Sequence, residues 1–280
     1  MSSQEPLKIL SLDGGGFRGL SSLLILEHIM EKIRDENSLD HVPRPCEHFD
    51  LIGGTSTGGI IAIMLGRLRM TVDECIRAYR DLAKRAFSWE SSPSSPCKFR
   101  RKVATIFTSK SISDVRISSS SMFSARCLED AMKLIVKTFC VEAECKSRRQ
   151  RGKSTARTCP HENMLFRDKT CTKTVVLAIT KDNVDAPPTL FTTYDSPTTF
   201  ELCTVWQVAR ATSAAIGFFE SIRLGRDDIE FVDANFGYNN PCETLVQEGQ
   251  KQFPKRRQMR ILSIARALEM SLLSKIPLPP

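Results

Sequence analysis

Three features are scarce in this sequence: histidines, closely spaced cysteine pairs and long apolar runs. There is no CxxC pair, and the longest strictly apolar run near the glycine-rich segment 50–64 covers only 60–65. A membrane-spanning helix needs roughly 18 apolar residues. The N-terminus, MSSQEPLKIL, lacks the basic start and apolar stretch of a secretory signal. We therefore expect a cytoplasmic protein whose ten cysteines are mostly reduced thiols.

The composition is that of an ordinary globular chain. Its 280 residues, 41% hydrophobic and 26% charged, are enough for one large domain with a substantial core. We expect a single domain over 1–280. The net charge of +8 favours contact with an anionic surface, either lipid or nucleic acid.

Apolar runs of strand length alternate with stretches of helical periodicity along the chain. The strand-like runs are LKILSL (7–12), FDLIGG (49–54), KTVVLAIT (173–180), TLFTTY (189–194), IEFVDANFGYNNP (229–241, ending in a turn) and MRILSI (259–264). The helix-like stretches are 20–33, a small-residue stretch after Ser56, 124–140 and 204–215. Thr71 and Glu74 have the spacing of a capping box at the start of a further helix. This alternation predicts an α/β fold with a largely parallel sheet.

Two polar segments interrupt this pattern. SSPSSPCKFRRK (91–102) predicts a loop. Between Lys146 and Arg157 there are six basic residues and no acidic one, so we expect 141–170 to be an exposed, cysteine-containing insertion.

Gly54-Thr55-Ser56-Thr57-Gly58 matches the pattern G-x-S-x-G between a strand and a helix. A serine on a sharp strand-to-helix turn needs small neighbours two residues away on each side, because larger side chains would collide there. The following helix would also point its N-terminal amides toward the serine. The alternative is a structural glycine turn.

The histidines argue against a Ser-His-Asp triad in the chain order of α/β-hydrolases, where the histidine comes last. They are His28, His41, His48 and His161, so only His161 follows Ser56 and none follows Asp233. If Ser56 is activated, a carboxylate or a lysine must therefore do it directly.

GGGFRG (14–19) follows a strand and opens a helix, which is also the position of a dinucleotide-binding loop. Two features argue against that ligand. Asp13 would lie beside the pyrophosphate and repel it, and no strand that ends in an acidic residue follows about 20 residues later. Successive glycine amides can instead hold an oxyanion.

DGGGFRG, GTSTGG and VARATSAA…FVDANFGYNNP occur in this order, and together they resemble the patatin-like phospholipase family, most closely its fungal members. The likeness covers about residues 7–264. It implies a three-layer α/β/α sandwich with a mostly parallel sheet that hydrolyses fatty acyl esters of phospholipids or other lipids.

The resemblance also implies roles for individual residues. Ser56 would be the nucleophile and Asp233 its partner in a dyad without histidine, while Gly54 and Gly58 shape the turn around Ser56. The amides of Gly14, Gly15 and Gly16 would form the oxyanion hole, with Arg18 holding that loop or meeting a substrate phosphate. No cofactor or metal is needed for this chemistry.

The sequence departs from the family pattern in two places. Asp233-Ala234-Asn235 stands where the family usually has Asp-Gly-Gly or Asp-Gly-Ala, and only glycine adopts positive φ at no steric cost. The ending ARALEMSLLSKIPLPP resembles a truncated or alternatively spliced product.

The remaining signals concern ligands and partners. Five cysteine and histidine residues lie in or near the insertion, namely Cys140, Cys145, Cys159, His161 and Cys171. They could be free thiols with an unrelated histidine, or they could bind a zinc ion. The basic stretches 98–102, 146–157 and 255–260 favour peripheral contact with an anionic membrane. The sequence contains no recognisable nucleic-acid-binding module, so no nucleic-acid partner is expected. The oligomeric state stays open.

Two functions besides lipid hydrolysis stay open. One is a signalling or interaction module that keeps the fold with little catalysis. The other is a nucleotide-binding protein that uses Gly14–Gly19 and does not need Ser56.

Overall fold

The computed structural model describes residues 5–86, 121–196 and 200–265. The predicted loop 91–102 and the residues after Ala265 lie outside this part of the chain. The strands are β1 (Leu7–Leu12), β2 (Leu51–Thr55), β3 (Lys173–Thr180), β4 (Thr189–Thr192), β5 (Ile222–Leu224), β6 (Ile229–Asp233) and β7 (Met259–Ile264). The helices are α1 (Gly19–Glu36), α2 (Pro45–His48), α3 (Thr57–Ala62), α4 (Val72–Ala86), α5 (Ala125–Thr138), α6 (Ala143–Gln150), α7 (Val205–Thr212), α8 (Asn235–Tyr238) and α9 (Cys242–Gln252).

The seven strands form one mixed sheet in the order β5-β6-β3-β2-β1-β7, with β4 also paired to β3. The strands β7, β1, β2 and β3 are mutually parallel, whereas β4 and β6 run antiparallel to β3. Strands β1, β2 and β3 are buried along almost their whole length because helices cover both faces of the sheet, whereas β7, at the edge of the sheet, is mostly exposed or half-buried.

Alternate residues of β1 enter two different apolar clusters. Leu10 and Leu12 belong to the larger cluster, which includes residues of α1, α3, α4, α5 and α7. Leu7 and Ile9 face the other way and pack in a smaller cluster with Leu245 of α9. Helices therefore lie on both faces of the sheet, which confirms the predicted three-layer α/β/α sandwich.

The capping box before α4 is confirmed. The Thr71 amide donates to Glu74 Oε2 at 2.9 Å, and the Glu74 amide donates to Thr71 Oγ1 at 3.1 Å. Among the described residues, no helix combines the length and hydrophobicity that crossing a bilayer requires.

The segment 141–170 is less exposed than its charge predicts. It contains the two-turn helix α6, and several of its side chains are buried against the larger cluster, namely Cys145, Cys159, Met164 and Phe166. Most of its basic residues are exposed, but Cys145 and Cys159, which flank the basic run 146–157, are buried. The expectation of an exposed insertion therefore holds for most of the basic side chains and is wrong for these cysteines.

Candidate active site

Ser56 lies on a sharp turn between β2 and α3. Its φ of 56° and ψ of −126° are rarely adopted by residues other than glycine and cost free energy that the surrounding structure must supply. The Ser56 amide donates to Thr212 Oγ1 at 2.8 Å, and that hydroxyl donates to the Leu177 carbonyl at 2.7 Å. Thr212, the buried last residue of α7, therefore links the serine turn to β3 through these two hydrogen bonds.

The two glycines around the turn are required by close backbone contacts. A Cβ atom at Gly54 would lie 2.3 Å from the Gly58 carbonyl carbon, and one at Gly58 would lie 2.2 Å from the Leu12 carbonyl oxygen. The sequence argument that larger side chains would collide where strand and helix converge therefore agrees with this geometry.

Asp233 is the last residue of β6 and pairs in register with Ala178 of β3. The Ser56 hydroxyl donates a hydrogen bond to Asp233 Oδ2 at 2.6 Å. The other carboxylate oxygen, Oδ1, accepts the Asn235 amide at 3.0 Å. Both carboxylate oxygens are therefore held, and one of them faces the serine.

Burial changes the acidity of this carboxyl group. Asp233 is 5% exposed, and its removal from water raises its pKa to about 7. The hydrogen bonds from Ser56 and from the Asn235 amide lower the pKa but do not cancel this effect. A group with a pKa near 7 can both accept and return a proton at neutral pH.

The residues after Asp233 adopt their turn without glycine. Ala234 has a φ of −74°, which alanine adopts without strain, and Asn235 has no positive φ. The positive φ of this turn comes later, at Gly237, where φ is 83°. The departure from Asp-Gly therefore leaves Asp233 beside Ser56.

The glycine loop packs directly against the serine turn. A Cβ atom at Gly14 would lie 3.1 Å from Ser56 Cβ. The Gly14 amide donates to the Asn239 carbonyl at 3.0 Å, and the Gly15 amide donates to Thr57 Oγ1 at 3.0 Å. Gly16, with a φ of 55°, begins a 3-10 turn and its carbonyl accepts the Tyr79 hydroxyl at 2.6 Å.

A cavity of about 350 Å³ opens over the hydroxyl of Ser56. Its polar lining includes Gly15, Gly16, Arg18 and Asp233. Its apolar lining includes Ile60, Leu82, Leu128, Phe218 and Phe219. The site therefore offers a nucleophile between polar groups and an apolar pocket.

Large apolar side chains are exposed around this cavity. Phe17 and Phe218, which line it, are 57% and 45% exposed. Phe236 follows the lining residue Asn235 and is 74% exposed, and Ile216 follows the lining residue Ala215 and is 54% exposed. These four residues, Phe17, Ile216, Phe218 and Phe236, are called the apolar rim below.

None of the four histidines, all of which are described, lines this cavity. The arrangement around Ser56 is thus a serine and a carboxylate without an imidazole between them. This agrees with the inference from the order of histidines in the chain.

The cysteine and histidine residues of the insertion form a separate cluster, and none of them lines the Ser56 cavity. Cys140, Cys145, Cys159 and His161 come together. Cys171 does not join them, because its Sγ donates instead to the carbonyls of Asp168 and Thr172. The expectation of Cys171 as a fifth candidate ligand is therefore wrong.

Two basic side chains of the predicted membrane-contact stretches are engaged within the protein. Arg256 pairs with Asp50 at 2.6 Å, and Arg149 donates to the carbonyls of Thr138 and Cys140. The stretch 98–102 lies outside the described residues.

Three residues that shape the site lie within the quoted motifs, but nothing in those motifs indicates the contacts that they make. Thr57 and Asn239 accept the amides of the glycine loop, and Thr212 accepts the amide of Ser56. Thr57 is part of G-x-S-x-G, but nothing in that pattern indicates a contact with Gly15. Their roles depend on distant segments that only the fold brings together.

The sequence matches the family model described as Patatin-like phospholipase over residues 10–246. Phospholipase A I of Arabidopsis thaliana is 27% identical over 291 aligned residues, covering 93% of this chain and 21% of that protein. Calcium-independent phospholipase A2-gamma of Homo sapiens is 41% identical over 83 residues, which are 29% of this chain and 10% of that protein. Patatin group M-1 of Solanum tuberosum is 40% identical over 63 residues, which are 22% of this chain and 16% of that protein.

The chain thus spans about a fifth or less of the length of these three relatives. Among solved structures, the crystal structure of VipD from Legionella pneumophila aligns with 83% of this chain and 46% of that chain. The identity is 12% and the TM-score is 0.40. The α/β/α architecture is established by the sheet and helices of this chain and takes no support from that alignment.

Proposed function

Because the chain belongs to the patatin-like phospholipase family, we propose that it hydrolyses fatty acyl esters of phospholipids or related lipids, using Ser56 and Asp233. The observation that carries this proposal is the 2.6 Å hydrogen bond from the Ser56 hydroxyl to the Asp233 carboxylate at the base of a partly apolar cavity.

In the first step, Ser56 Oγ attacks the carbonyl carbon of the ester. Its proton moves along the existing hydrogen bond to Asp233 Oδ2. The tetrahedral intermediate then collapses to an acyl-enzyme, and Asp233 returns the proton to the departing alcohol. In the second step water attacks the acyl-enzyme while Asp233 takes one of its protons. The second tetrahedral intermediate then collapses, Asp233 returns that proton to Ser56 Oγ, and the fatty acid leaves.

The negative charge on the carbonyl oxygen needs amide donors beside Ser56. We assign this role to the amides of Gly16 and Thr57, since the first amides of a helical turn have no partner inside that turn. The amides of Gly14 and Gly15 already donate to Asn239 and Thr57, so we assign these residues to holding the loop in place.

The lining of the cavity supports a lipid substrate. Its apolar lining matches an acyl chain, and the exposed apolar rim matches the hydrocarbon at the surface of a membrane or micelle. The Arg18 side chain is exposed in the lining of the same cavity, where it would meet a substrate phosphate. We therefore place the cleavage of phospholipids at an anionic surface ahead of the cleavage of soluble esters.

The proposal is tested by hydrolysis of a short-chain chromogenic ester and of phospholipid vesicles. The native chain is compared with Ser56→Ala and Asp233→Asn, each shown to be folded by circular dichroism. We expect both variants to lose at least about a thousandfold in kcat/KM, as for the removal of members of other nucleophile–base units. Full activity of either variant would rule out the dyad, and a folded native chain that is inactive on both substrates would favour the interaction module.

A further inference from the structure

A cluster of four metal-ligating side chains lies in the segment between α5 and β3, apart from the proposed catalytic site. One ligand atom from each of Cys140, Cys145, Cys159 and His161 lies within 4.8 Å of every other. The three cysteines are buried and are free thiols, while the histidine is half-buried. Cys140 follows the end of α5, Cys145 lies in α6, and Cys159 and His161 lie in the turns after it, so one local segment supplies all four.

The distances fit a tetrahedral metal site. The sulfurs of Cys140, Cys145 and Cys159 lie 3.4, 3.7 and 3.5 Å from His161 Nδ1. Zinc bonds of about 2.3 Å to sulfur and 2.0–2.1 Å to nitrogen, at tetrahedral angles, place each sulfur about 3.5 Å from the nitrogen. The three observed separations therefore agree with one ion at the centre.

Hydrogen bonding does not account for the same arrangement. In a neutral imidazole, Nδ1 carries either one proton or one lone pair and so directs one hydrogen bond. Three sulfurs surround this single nitrogen at nearly equal distances. The three sulfurs also lie within hydrogen-bond reach of one another, but only a shared ion contacts all four atoms at once.

Donors and positive charge also lie near the cluster. The His161 amide donates to Cys159 Sγ at 3.4 Å, and amide contacts of this kind support metal-bound sulfurs. Three thiolates, a neutral imidazole and Zn²⁺ sum to a single negative charge. The segment 146–157, which lies between the ligands Cys145 and Cys159 in the chain, carries six basic residues and no acidic one. Arg149 of this segment donates to the carbonyl of Cys140 at 3.2 Å.

The segment has little other regular structure to hold it. After α6 ends at Gln150, the described chain forms only turns and one isolated bridge pair, at Leu165, before β3 begins at Lys173. An ion that ties the end of α5 to α6 and to the 159–161 turn would add a cross-link where regular secondary structure is sparse.

We propose that Cys140, Cys145, Cys159 and His161 bind one structural Zn²⁺ ion. Three sulfurs and one imidazole nitrogen in a tetrahedron are a zinc ligand set, and four protein ligands leave no open position for a substrate. The site stabilises the segment 140–161 and takes no part in ester hydrolysis, so it stands independently of the proposed function.

The native chain, expressed without added metal and purified without chelators, tests this by elemental analysis. One zinc ion per chain is expected, released when a mercurial reagent titrates the thiols and detected with a chromogenic zinc indicator. Replacement by Co²⁺ should give thiolate-to-cobalt charge transfer and the strong visible bands of a tetrahedral site. A native chain with less than a tenth of an equivalent of zinc before and after incubation with Zn²⁺ overturns the proposal, as does stoichiometric iron or a disulfide within the cluster.

Variants locate the ion. Cys159→Ser and His161→Ala should lower the bound zinc at least severalfold and lower the Tm. The matched control is Cys171→Ser, because this cysteine lies in the same part of the chain, and a serine hydroxyl can keep its hydrogen bonds to backbone carbonyls. It should retain one equivalent of zinc. Loss of zinc in Cys171→Ser alone, or equal zinc in all three variants, contradicts the assigned ligands. If the cluster variants fail to fold, the metal content and the cobalt spectrum of the native chain still show whether it binds zinc in a tetrahedral thiolate site.

Discussion

The Ser56 hydroxyl and the Asp233 carboxylate are 177 residues apart in the chain and 2.6 Å apart in the structure. Ser56 follows the end of β2 and Asp233 ends β6, and both strands pair with β3, at Leu177 and Ala178. The sheet register therefore sets the distance between the two groups. The same register buries the carboxylate. Asp233 is only 5% exposed, and this burial raises its pKa.

The first prediction concerns the pH dependence of catalysis. Asp233 must be ionised to accept the serine proton, and its pKa is about 7. On an uncharged ester, kcat/KM should rise with pH and level off above a midpoint of about 7. A profile that is flat between pH 5 and 9 would contradict the role of Asp233 as the base.

The second prediction concerns stability. The pKa of Asp233 is 3.8 in an unfolded chain and about 7 in the fold, so the folded state binds this proton more tightly. The stability that this provides is complete below pH 3.8 and is lost as the pH rises through about 7. Asp233→Asn removes the buried charge, so its free energy of unfolding should exceed that of the native chain above pH 7 by a few kcal/mol, at about 1.4 kcal/mol per pKa unit.

Urea unfolding of both proteins at pH 5 and pH 8 measures this difference. The gap between variant and native chain should be wider at pH 8. A variant that is less stable than the native chain at both pH values would show that the lost hydrogen-bond geometry outweighs the relief of the buried charge.

The third prediction concerns Thr212, a positioning residue. Thr212→Val keeps the shape but leaves the Ser56 amide without its acceptor, which should cost about 1–3 kcal/mol of stability. It should also lower kcat more than it raises KM, because the serine turn loses its lateral support. Thr212→Ser retains the hydroxyl and should behave nearly as the native chain. Equal kinetics of the two variants would contradict a positioning role for the Thr212 hydroxyl.

The fourth prediction concerns the apolar rim. Phe17→Ser and Phe236→Ser replace side chains that are 57% and 74% exposed, so the fold should tolerate both changes. Activity on phospholipid vesicles should fall severalfold, whereas activity on a soluble short-chain ester should change little. The matched control is Leu202→Ser, since Leu202 is also 74% exposed but does not belong to the rim. An equal loss in the control, or an equal loss on both substrates, would contradict a surface-binding role.

Much of the sheet could be predicted from the sequence because its central strands are buried on both faces. The predicted runs 7–12 and 173–180 coincide with the buried strands β1 and β3. The predicted run 259–264 coincides with β7, an edge strand that is mostly exposed or half-buried but still has an apolar sequence. The strand β5 has three residues, and α9 buries only Leu245, Glu248 and Gly249, so neither has a clear apolar period. Neither element is apparent from the sequence.

The candidate site, too, could be predicted from the sequence only in part. The turn around Ser56 follows from glycine spacing, because backbone contacts within a few residues require it. The pairing of Ser56 with Asp233 needed the resemblance to a family, and Thr212 needed the fold. The φ of Ala234 could not be predicted from the sequence either, because its conformation depends on how α8 follows β6.

The most direct test of the dyad is covalent trapping of the nucleophile. The native chain is treated at pH 8 with a lipophilic fluorophosphonate, digested and analysed by mass spectrometry. We predict one adduct per chain, on Ser56, with no adduct in Ser56→Ala and labelling at least tenfold slower in Asp233→Asn. Labelling of another serine, or equally fast labelling of Ser56 when Asp233 is replaced, would contradict the claim that Asp233 activates Ser56.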